Sequence, residues 1–197
     1  MFNWNVAAAS VQGTSHIKRS QPCQDACYWA VLDDQVLIAA VADGAGSVSL
    51  SDVGSNLAVQ TAVEEIEERA ERLKTLKNKE DWSDFFQDIC HITLNVLEAE
   101  ANFLQVDKRE LSTTLILVVA TPETIATAQI GDGAVVMCDS LDKITGLTNP
   151  NVEEFLEFTT FLTSPKALDL FDRCRYDAVQ QAQSAAGRPC GGDACGA

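Results

Sequence analysis

The sequence has little positive charge and no long hydrophobic segment. It carries 14 lysines and arginines against 29 aspartates and glutamates, which gives a formal net charge of −15. An acidic balance of this size opposes binding to the phosphates of nucleic acids and to anionic membranes. No run approaches the length of about 18 apolar residues that a membrane-spanning helix needs. We therefore expect neither a nucleic acid nor a membrane among its partners.

A secretory signal and a paired-cysteine framework are lacking as well. Residues 1–5 contain neither a basic stretch nor the start of a long apolar core, so we expect a cytoplasmic protein. The seven cysteines are scattered, and Cys190 and Cys195 have no second closely spaced pair, which a structural zinc site would need. Reduced, free thiols are the expectation for such a chain.

The sequence does contain three acidic residues at the ends of strand-like segments. Asp43 directly follows the apolar run 36–42, which is short and bounded by acidic residues and by glycine, as is typical of a buried strand. Asp25 precedes a second strand-like segment, and Asp132 follows a third. Carboxylate ligands of this kind suit hard cations such as Mg²⁺ or Mn²⁺.

The motifs around these acids resemble, in order, those of the PPM (type 2C) metal-dependent serine/threonine protein phosphatases, above all their compact bacterial branch. The resemblance covers about residues 4–165. It depends on the segments 13–16 (Gly-Thr-Ser-His), 22–26 (Pro-Cys-Gln-Asp-Ala), 41–47 (Val-Ala-Asp-Gly-Ala-Gly-Ser), 112–115 (Ser-Thr-Thr-Leu) and 129–133 (Gln-Ile-Gly-Asp-Gly).

The resemblance implies a role for several motif residues. Asp43 resembles the carboxylate that bridges two metal ions, and Gly44 the residue whose carbonyl helps to ligate one of them. Asp25 resembles the acid that holds the second ion, largely through water. Asp132 resembles an acid near an additional, weaker metal position. Asp43 and Asp25 are therefore the expected catalytic residues, with Mn²⁺ or Mg²⁺ in a two-metal centre where the family domain is complete.

The implied reaction is hydrolysis of phosphoserine or phosphothreonine in a protein substrate by a metal-activated water, with no phosphoenzyme. The family's phosphate-binding arginine falls on Ser20 in this chain. Arg19 and His16 are the candidates for contacting the substrate phosphate in its place, although on an extended segment Arg19 would point to the opposite face. The sequence gives no indication of the oligomeric state.

The end of the chain departs from the family pattern. The family supplies two further metal-binding aspartates from its last third, and neither has a counterpart here. We therefore expect an incomplete phosphatase-like domain at residues 1–170, truncated at its C-terminus, and an atypical, disordered tail at residues 171–197. Two functions remain open: a metal-dependent phosphatase with impaired activity, and a non-catalytic phosphatase-like regulatory or binding module or inactive fragment.

The hydrophobic periodicity predicts strands, then a pair of helices, then strands, which is an α+β pattern. With the resemblance, this implies an α-β-β-α sandwich with antiparallel sheets and an incomplete C-terminal part. The predicted strands are 4–11, 28–32, 36–42, 115–120, 124–130, 134–139 and 144–147, and the predicted helices are 51–73 and 82–105. Residues 12–24 are predicted to form a loop and residues 131–133 a turn.

Overall fold

The computed structural model describes residues 4–33, 35–148, 159–165, 167–168 and 175–178. The strands are β1 (Asp25–Leu32), β2 (Val36–Asp43), β3 (Leu115–Ala120), β4 (Thr124–Ile130), β5 (Val136–Cys138), β6 (Ile144–Gly146) and β7 (Arg175–Ala178). The helices are α1 (Thr14–Arg19), α2 (Ser51–Glu68), α3 (Ala70–Leu73), α4 (Lys79–Leu104) and a 3₁₀ helix at Lys108–Leu111.

Five strands form one antiparallel sheet in the order β1-β2-β3-β4-β7, and β5 and β6 form a separate two-stranded sheet. The α+β class with antiparallel sheets is thus confirmed. The strands pair as simple neighbours from β1 to β4, with the two long helices inserted between β2 and β3. This order places the C-terminal end of β2 beside the N-terminal end of β3, because neighbouring antiparallel strands run in opposite directions.

The long helices cover one face of the large sheet. In β2, Ile38, Ala40 and Ala42 are buried in the core shared with the helices, whereas Val41 is 46% exposed on the opposite face. This alternation follows from the two-residue period of a strand. The core contains the predicted apolar stripe of α4, whose buried side chains include Trp82, Phe85, Phe86, Ile89 and Leu97.

The start of α4 has a side-chain cap. The Asn78 Oδ1 atom accepts a hydrogen bond of 2.9 Å from the backbone N–H of Asp81, as expected for an asparagine N-cap. The helix ends where Gln105 adopts a left-handed conformation with φ of 58°. Both ends lie within three residues of the predicted bounds. No described helix combines the length and the apolar composition needed to cross a membrane.

Two local predictions were wrong. Residues 4–11 form no strand; Trp4 Nε1 donates to the Gln35 carbonyl at 2.9 Å, and Ser10 Oγ donates to Cys27 Sγ of β1 at 3.6 Å. Their alternating pattern favours extended backbone, but a strand also needs a ladder of backbone hydrogen bonds with a neighbour. Residues 12–24, expected to be a loop, include the helix α1. Arg19 therefore lies on a helix rather than on an extended segment.

The predicted helix 51–73 is divided at Arg69. The backbone of Arg69 leaves helical geometry, with φ of −105° and ψ of 19°. Its guanidinium group donates to the Glu65 carbonyl at 2.9 Å and forms an ion pair with the Glu65 carboxylate. A short helix, α3, continues after this break.

Within the predicted tail, the four described residues form β7, which pairs with β4. The remaining residues of the segment 171–197 lie outside the described residues, as does residue 170 itself. The domain boundary at 170 and the disorder of the tail stay predictions.

Candidate functional site

Two of the predicted acids face each other at the open end of the first hairpin. The register of β1 and β2 places Asp25 directly opposite Asp43. The pKa of Asp43 is raised from 3.8 to about 6, first because partial burial removes water from its carboxyl, and then because the Asp25 carboxyl lies beside it and hydrogen-bonds to it. The hairpin register thus creates a pair of carboxyls that resist carrying two negative charges.

Two more predicted residues belong to the same electrostatic environment. Asp132, in the loop after β4, raises the pKa of Asp43 further through its negative charge, whereas His16 on α1 opposes the rise through its positive charge. Residues from α1, β1, β2 and the β4–β5 loop therefore come together around Asp43. Four of the sequence-predicted site residues share one region of the molecule.

Arg19 is the exception among the predicted side chains. It is exposed at the end of α1 and forms no ion pair within the described part of the chain. Its charge is also absent from the influences on the pKa of Asp43. The structure brings His16 into the electrostatic environment of Asp43, whereas no described interaction links Arg19 to Asp43.

Gly44 occupies a position that no larger residue could fill without movement. Its N–H donates to the Gln24 carbonyl at 3.0 Å. A Cβ atom at this residue would lie 2.6 Å from the Ser51 carbonyl oxygen and 2.8 Å from that of Gln24. The chain can therefore pass between the start of β1 and the start of α2 only with glycine here. This packing fixes the backbone that directly follows Asp43.

A second glycine sets the position of Asp132. Gly131 has φ of +115°, a conformation that glycine adopts readily and other residues rarely do. A Cβ atom on Gly131 would also lie 2.5 Å from the Thr114 Cγ2 atom. The Gln129 side chain supports the same loop, because its Nε2 atom donates to the Gly131 carbonyl at 2.9 Å and to the Gly133 carbonyl at 2.6 Å. The loop that carries Asp132 is therefore held on both sides.

The residues 112–114 support Asp43, a role that the sequence analysis did not assign. The Asp43 N–H donates to Thr114 Oγ1 at 2.8 Å, and the Thr114 N–H donates to the Asp43 carbonyl at 2.9 Å. Thr113 Oγ1 donates to the same carbonyl at 3.1 Å. The sequence signal for this role is the pair of adjacent threonines just before a buried strand. The carboxylate pair is thus attached to β3 as well as to β1 and β2.

The donor set suits one hard cation with a largely aqueous coordination shell. Asp25 and Asp43 face each other, and the raised pKa of Asp43 favours a bound cation, because a divalent charge would relieve the repulsion between the two carboxylates. The Gln24 Oε1 atom nearby is buried and has no hydrogen-bond partner among the described residues. However, no three acidic, histidine or cysteine side chains of the described residues are grouped closely enough to enclose a metal ion. The described residues alone therefore provide an open site.

Comparisons of this sequence with known proteins point to one protein family. The sequence model of the family described as protein phosphatase 2C matches residues 12–185. Serine/threonine-protein phosphatase 3 of Escherichia coli strain K12 is 33% identical over 172 residues, which are 85% of this chain and 66% of that protein.

Solved structures share the fold. A crystal structure of a bacterial serine phosphatase superposes with a TM-score of 0.53 at 13% identity, over 78% of this chain and 65% of that one. A mutant of a bacterial serine phosphatase gives 0.55 at 13% identity, over 80% and 64%. This chain thus spans slightly less than two thirds of the length of each of these proteins. Because the family model matches most of its sequence, the chain belongs to the protein phosphatase 2C family.

Proposed function

We propose that this chain is a metal-dependent phosphatase that hydrolyses phosphoserine or phosphothreonine in a protein substrate. The observation that carries the proposal is the convergence of Asp25, Asp43 and Asp132 in a member of this family, with the pKa of Asp43 raised by partial burial and by the other two acids. Similarity to an E. coli protein named as a serine/threonine-protein phosphatase supports the same reaction. The proposed setting is the removal of signalling phosphates in the cytoplasm.

In this proposal, Asp43 and Asp25 are the catalytic residues and hold Mn²⁺ or Mg²⁺ together with the backbone of Gly44. Asp132 contributes to a further, weaker position. Bound divalent cations would supply a water of lowered pKa as the nucleophile and would neutralise charge on the phosphate. The carboxylates orient the cations, and their negative charges would otherwise repel a phosphate.

The substrate phosphate needs positive charge from the protein as well. His16 is the first candidate, because its charge already acts on Asp43. Arg19 is the second, since it lies one turn further along α1 and is exposed. In this proposal, His16 would contact the phosphate or donate a proton to its leaving oxygen.

We further propose that the activity of this chain is impaired. Its described residues group no three metal-binding side chains closely enough to enclose an ion. Loss of one ligand or its support typically weakens a metal site by about 10–100-fold. The proposed domain ends near residue 170.

The same observation favours a second candidate function, a phosphatase-like module that binds a phosphoprotein without turnover. An open site with few fixed ligands could hold a cation and a phosphate and still fail to activate water. Both candidates would bind a phosphoprotein, but only the enzyme would hydrolyse it.

Turnover of a phosphothreonine peptide and of a small aryl phosphate, with and without millimolar Mn²⁺, tests the first candidate. The variant Asp43→Ala removes the central carboxylate. Asp84→Ala is a matched control, because it removes an exposed aspartate from α4. Metal-dependent turnover that is lost in Asp43→Ala and kept in Asp84→Ala would support the enzyme. A folded protein that binds the peptide with Mn²⁺ but never hydrolyses it would support the binding module.

A further inference from the structure

The segment 159–163, here called the strap, is hydrogen-bonded to the segment 112–114, which supports Asp43. The Leu162 side chain is completely buried, and its backbone N–H donates to the Thr113 carbonyl at 2.8 Å. Thr163 Oγ1 and Ser112 Oγ share a hydrogen bond of 2.8 Å, and both residues are buried. Buried, paired polar groups of this kind hold a segment in one register. The strap therefore has a fixed position relative to the 112–114 segment.

The other end of the strap reaches a different acid. Thr159 Oγ1 donates a hydrogen bond to Asp132 Oδ2 at 3.2 Å. Gln129 holds the backbone of the loop around Asp132 but does not touch its carboxylate. Within the described part of the chain, Thr159 is the only residue that donates to this carboxylate. The side-chain orientation of Asp132 thus depends on the strap.

We propose that Thr159 is a positioning residue for Asp132, held in place by the rest of the strap. This inference rests on the proposed function, in which Asp132 contributes to metal binding. An exposed aspartate on a loop can otherwise rotate, and a hydrogen bond to Oδ2 leaves Oδ1 free for a cation. Partners of this kind orient a ligand and are typically worth about 10–100-fold in metal affinity. Because this hydrogen bond is exposed, we expect its loss to weaken metal binding by about tenfold.

The strap also connects two parts of the site that are far apart in sequence. The 112–114 segment holds the backbone of Asp43, and the strap joins that segment to Asp132. A shift of the strap would therefore change the separation of the two acids. This connection explains why a stretch with no charged side chain would matter for metal binding.

Three variants test the role of Thr159. Thr159→Val removes the hydroxyl and keeps the shape, and Thr159→Ser keeps the hydroxyl. Thr160→Val is the matched control, because Thr160 is the next residue, is similarly half-buried and makes no hydrogen bond in the described structure. The readout is Mn²⁺ binding to the whole chain, measured by electron paramagnetic resonance of the free ion, with the melting temperature of the metal-free protein alongside. We expect about tenfold weaker Mn²⁺ binding in Thr159→Val, and wild-type binding in the other two.

A double-mutant cycle with Asp132→Asn isolates the pair. If Thr159 acts through Asp132, Thr159→Val should have no further effect on Mn²⁺ binding in the Asp132→Asn background. A merely structural role would lower the metal-free melting temperature equally in both backgrounds, which would overturn the proposal. Wild-type binding by Thr159→Val, while Asp43→Ala loses it, would overturn the positioning role and leave the metal centre standing. Absence of Mn²⁺ binding by the wild-type chain would overturn both.

Discussion

At the scale of single residues, the site is defined by a carboxylate pair that is costly to keep charged. Asp25 and Asp43 are cross-strand neighbours, and like charges placed directly opposite each other destabilise a strand pair. Partial burial is the largest cause of the raised pKa of Asp43, and the charge of Asp25 raises it further. A bound divalent cation would relieve this repulsion.

The first prediction concerns this cost. The pKa of Asp43 in the fold, about 6, exceeds its ordinary value of 3.8, so the folded state favours the protonated form. The contribution of Asp43 to stability is therefore greatest below pH 3.8 and is lost as the pH rises towards 6. Asp43→Asn cannot ionise. In the presence of a chelator, its melting temperature should gain on that of the wild type between about pH 4 and 6 and then stay higher. Parallel melting curves at all pH values would contradict the prediction.

The second prediction concerns the glycine before Asp132. Gly131→Ala should lower the free energy of unfolding by about 1–3 kcal/mol, because the residue has a positive φ and the new Cβ would collide with Thr114. Gly13→Ala is the control, since its φ is not in the left-handed region and the nearest atom to a new Cβ is 3.9 Å away. Urea denaturation measures both. Equal stability of the two variants would show that the loop relaxes freely.

At the scale of elements, the acidic residues lie at two strand ends and in the loop after β4. The β2–β3 ladder ends in hydrogen bonds between Asp43 and Thr114, in which each residue is both donor and acceptor. The Thr114 hydroxyl is a side-chain continuation of the ladder, placed where the backbone of β2 turns away. The position of the Asp43 backbone therefore depends on β3 as much as on β2, the strand that carries Asp43.

The third prediction tests this attachment. Thr114→Val should cost about 1–3 kcal/mol of stability, because it leaves the Asp43 N–H without its acceptor in a partly buried place. Thr114→Ser keeps the hydroxyl and should retain most of the stability. Hydrogen exchange of the Asp43 amide gives a local readout, with faster exchange expected in Thr114→Val alone. Unchanged exchange in that variant would argue against the attachment.

The fourth prediction concerns the helix layer. Phe86 is fully buried in α4 and packs against Trp82 with ring centroids 5.5 Å apart. Phe86→Ala should cost about 3–5 kcal/mol through lost burial and the cavity left behind. Phe103→Ala is the control from the same helix, because Phe103 is 80% exposed. Thermal unfolding distinguishes them, and a similar loss in both would mean that α4 is not packed as described.

At the scale of the whole molecule, the net charge of −15 attracts cations in general. A specific metal site must therefore be separated from simple screening of the acidic surface. Screening depends on ionic strength and is shared by all exposed carboxylates, whereas a site saturates and depends on particular residues.

The fifth prediction makes that separation. Mn²⁺ should raise the melting temperature of the wild type and of Asp84→Ala, by an amount that grows with the logarithm of the free ion concentration once this exceeds the dissociation constant. It should leave Asp43→Ala with only the small effect that Na⁺ produces at the same ionic strength. A response of Asp43→Ala equal to that of the wild type would reduce the effect to screening.

The whole sheet also has two unlike faces. The helices cover one, whereas Trp29 and Val41 are 45% and 46% exposed on the other. The same alternation along β2 that buries Ile38 and Ala40 places Val41 on the outer side. A sequence pattern marks which residues share a face, but it does not say whether that face is covered.

Much of the fold could be predicted because its signals are local. The apolar run before Asp43, the stripe of α4 and the turn at residues 131–133 each depend on neighbours in sequence, and their elements were placed within a few residues of their true bounds. Residues 4–11 and α1 were mispredicted because tertiary partners decide those segments. Local preference cannot supply a strand with its neighbour.

The amino-acid sequence by itself determined the acidic strand ends, the glycines beside them and the family, since these depend on residue type and order along the chain. Only the tertiary structure decided that Asp25 faces Asp43, that Thr114 holds the Asp43 backbone and that Thr159 reaches Asp132. Asp43 and Thr114 are 71 residues apart, and Asp132 and Thr159 are 27 apart. Such contacts arise from the pairing of distant strands and from the burial of Leu162, and hydrogen bonds between remote side chains leave no periodic trace in a single sequence.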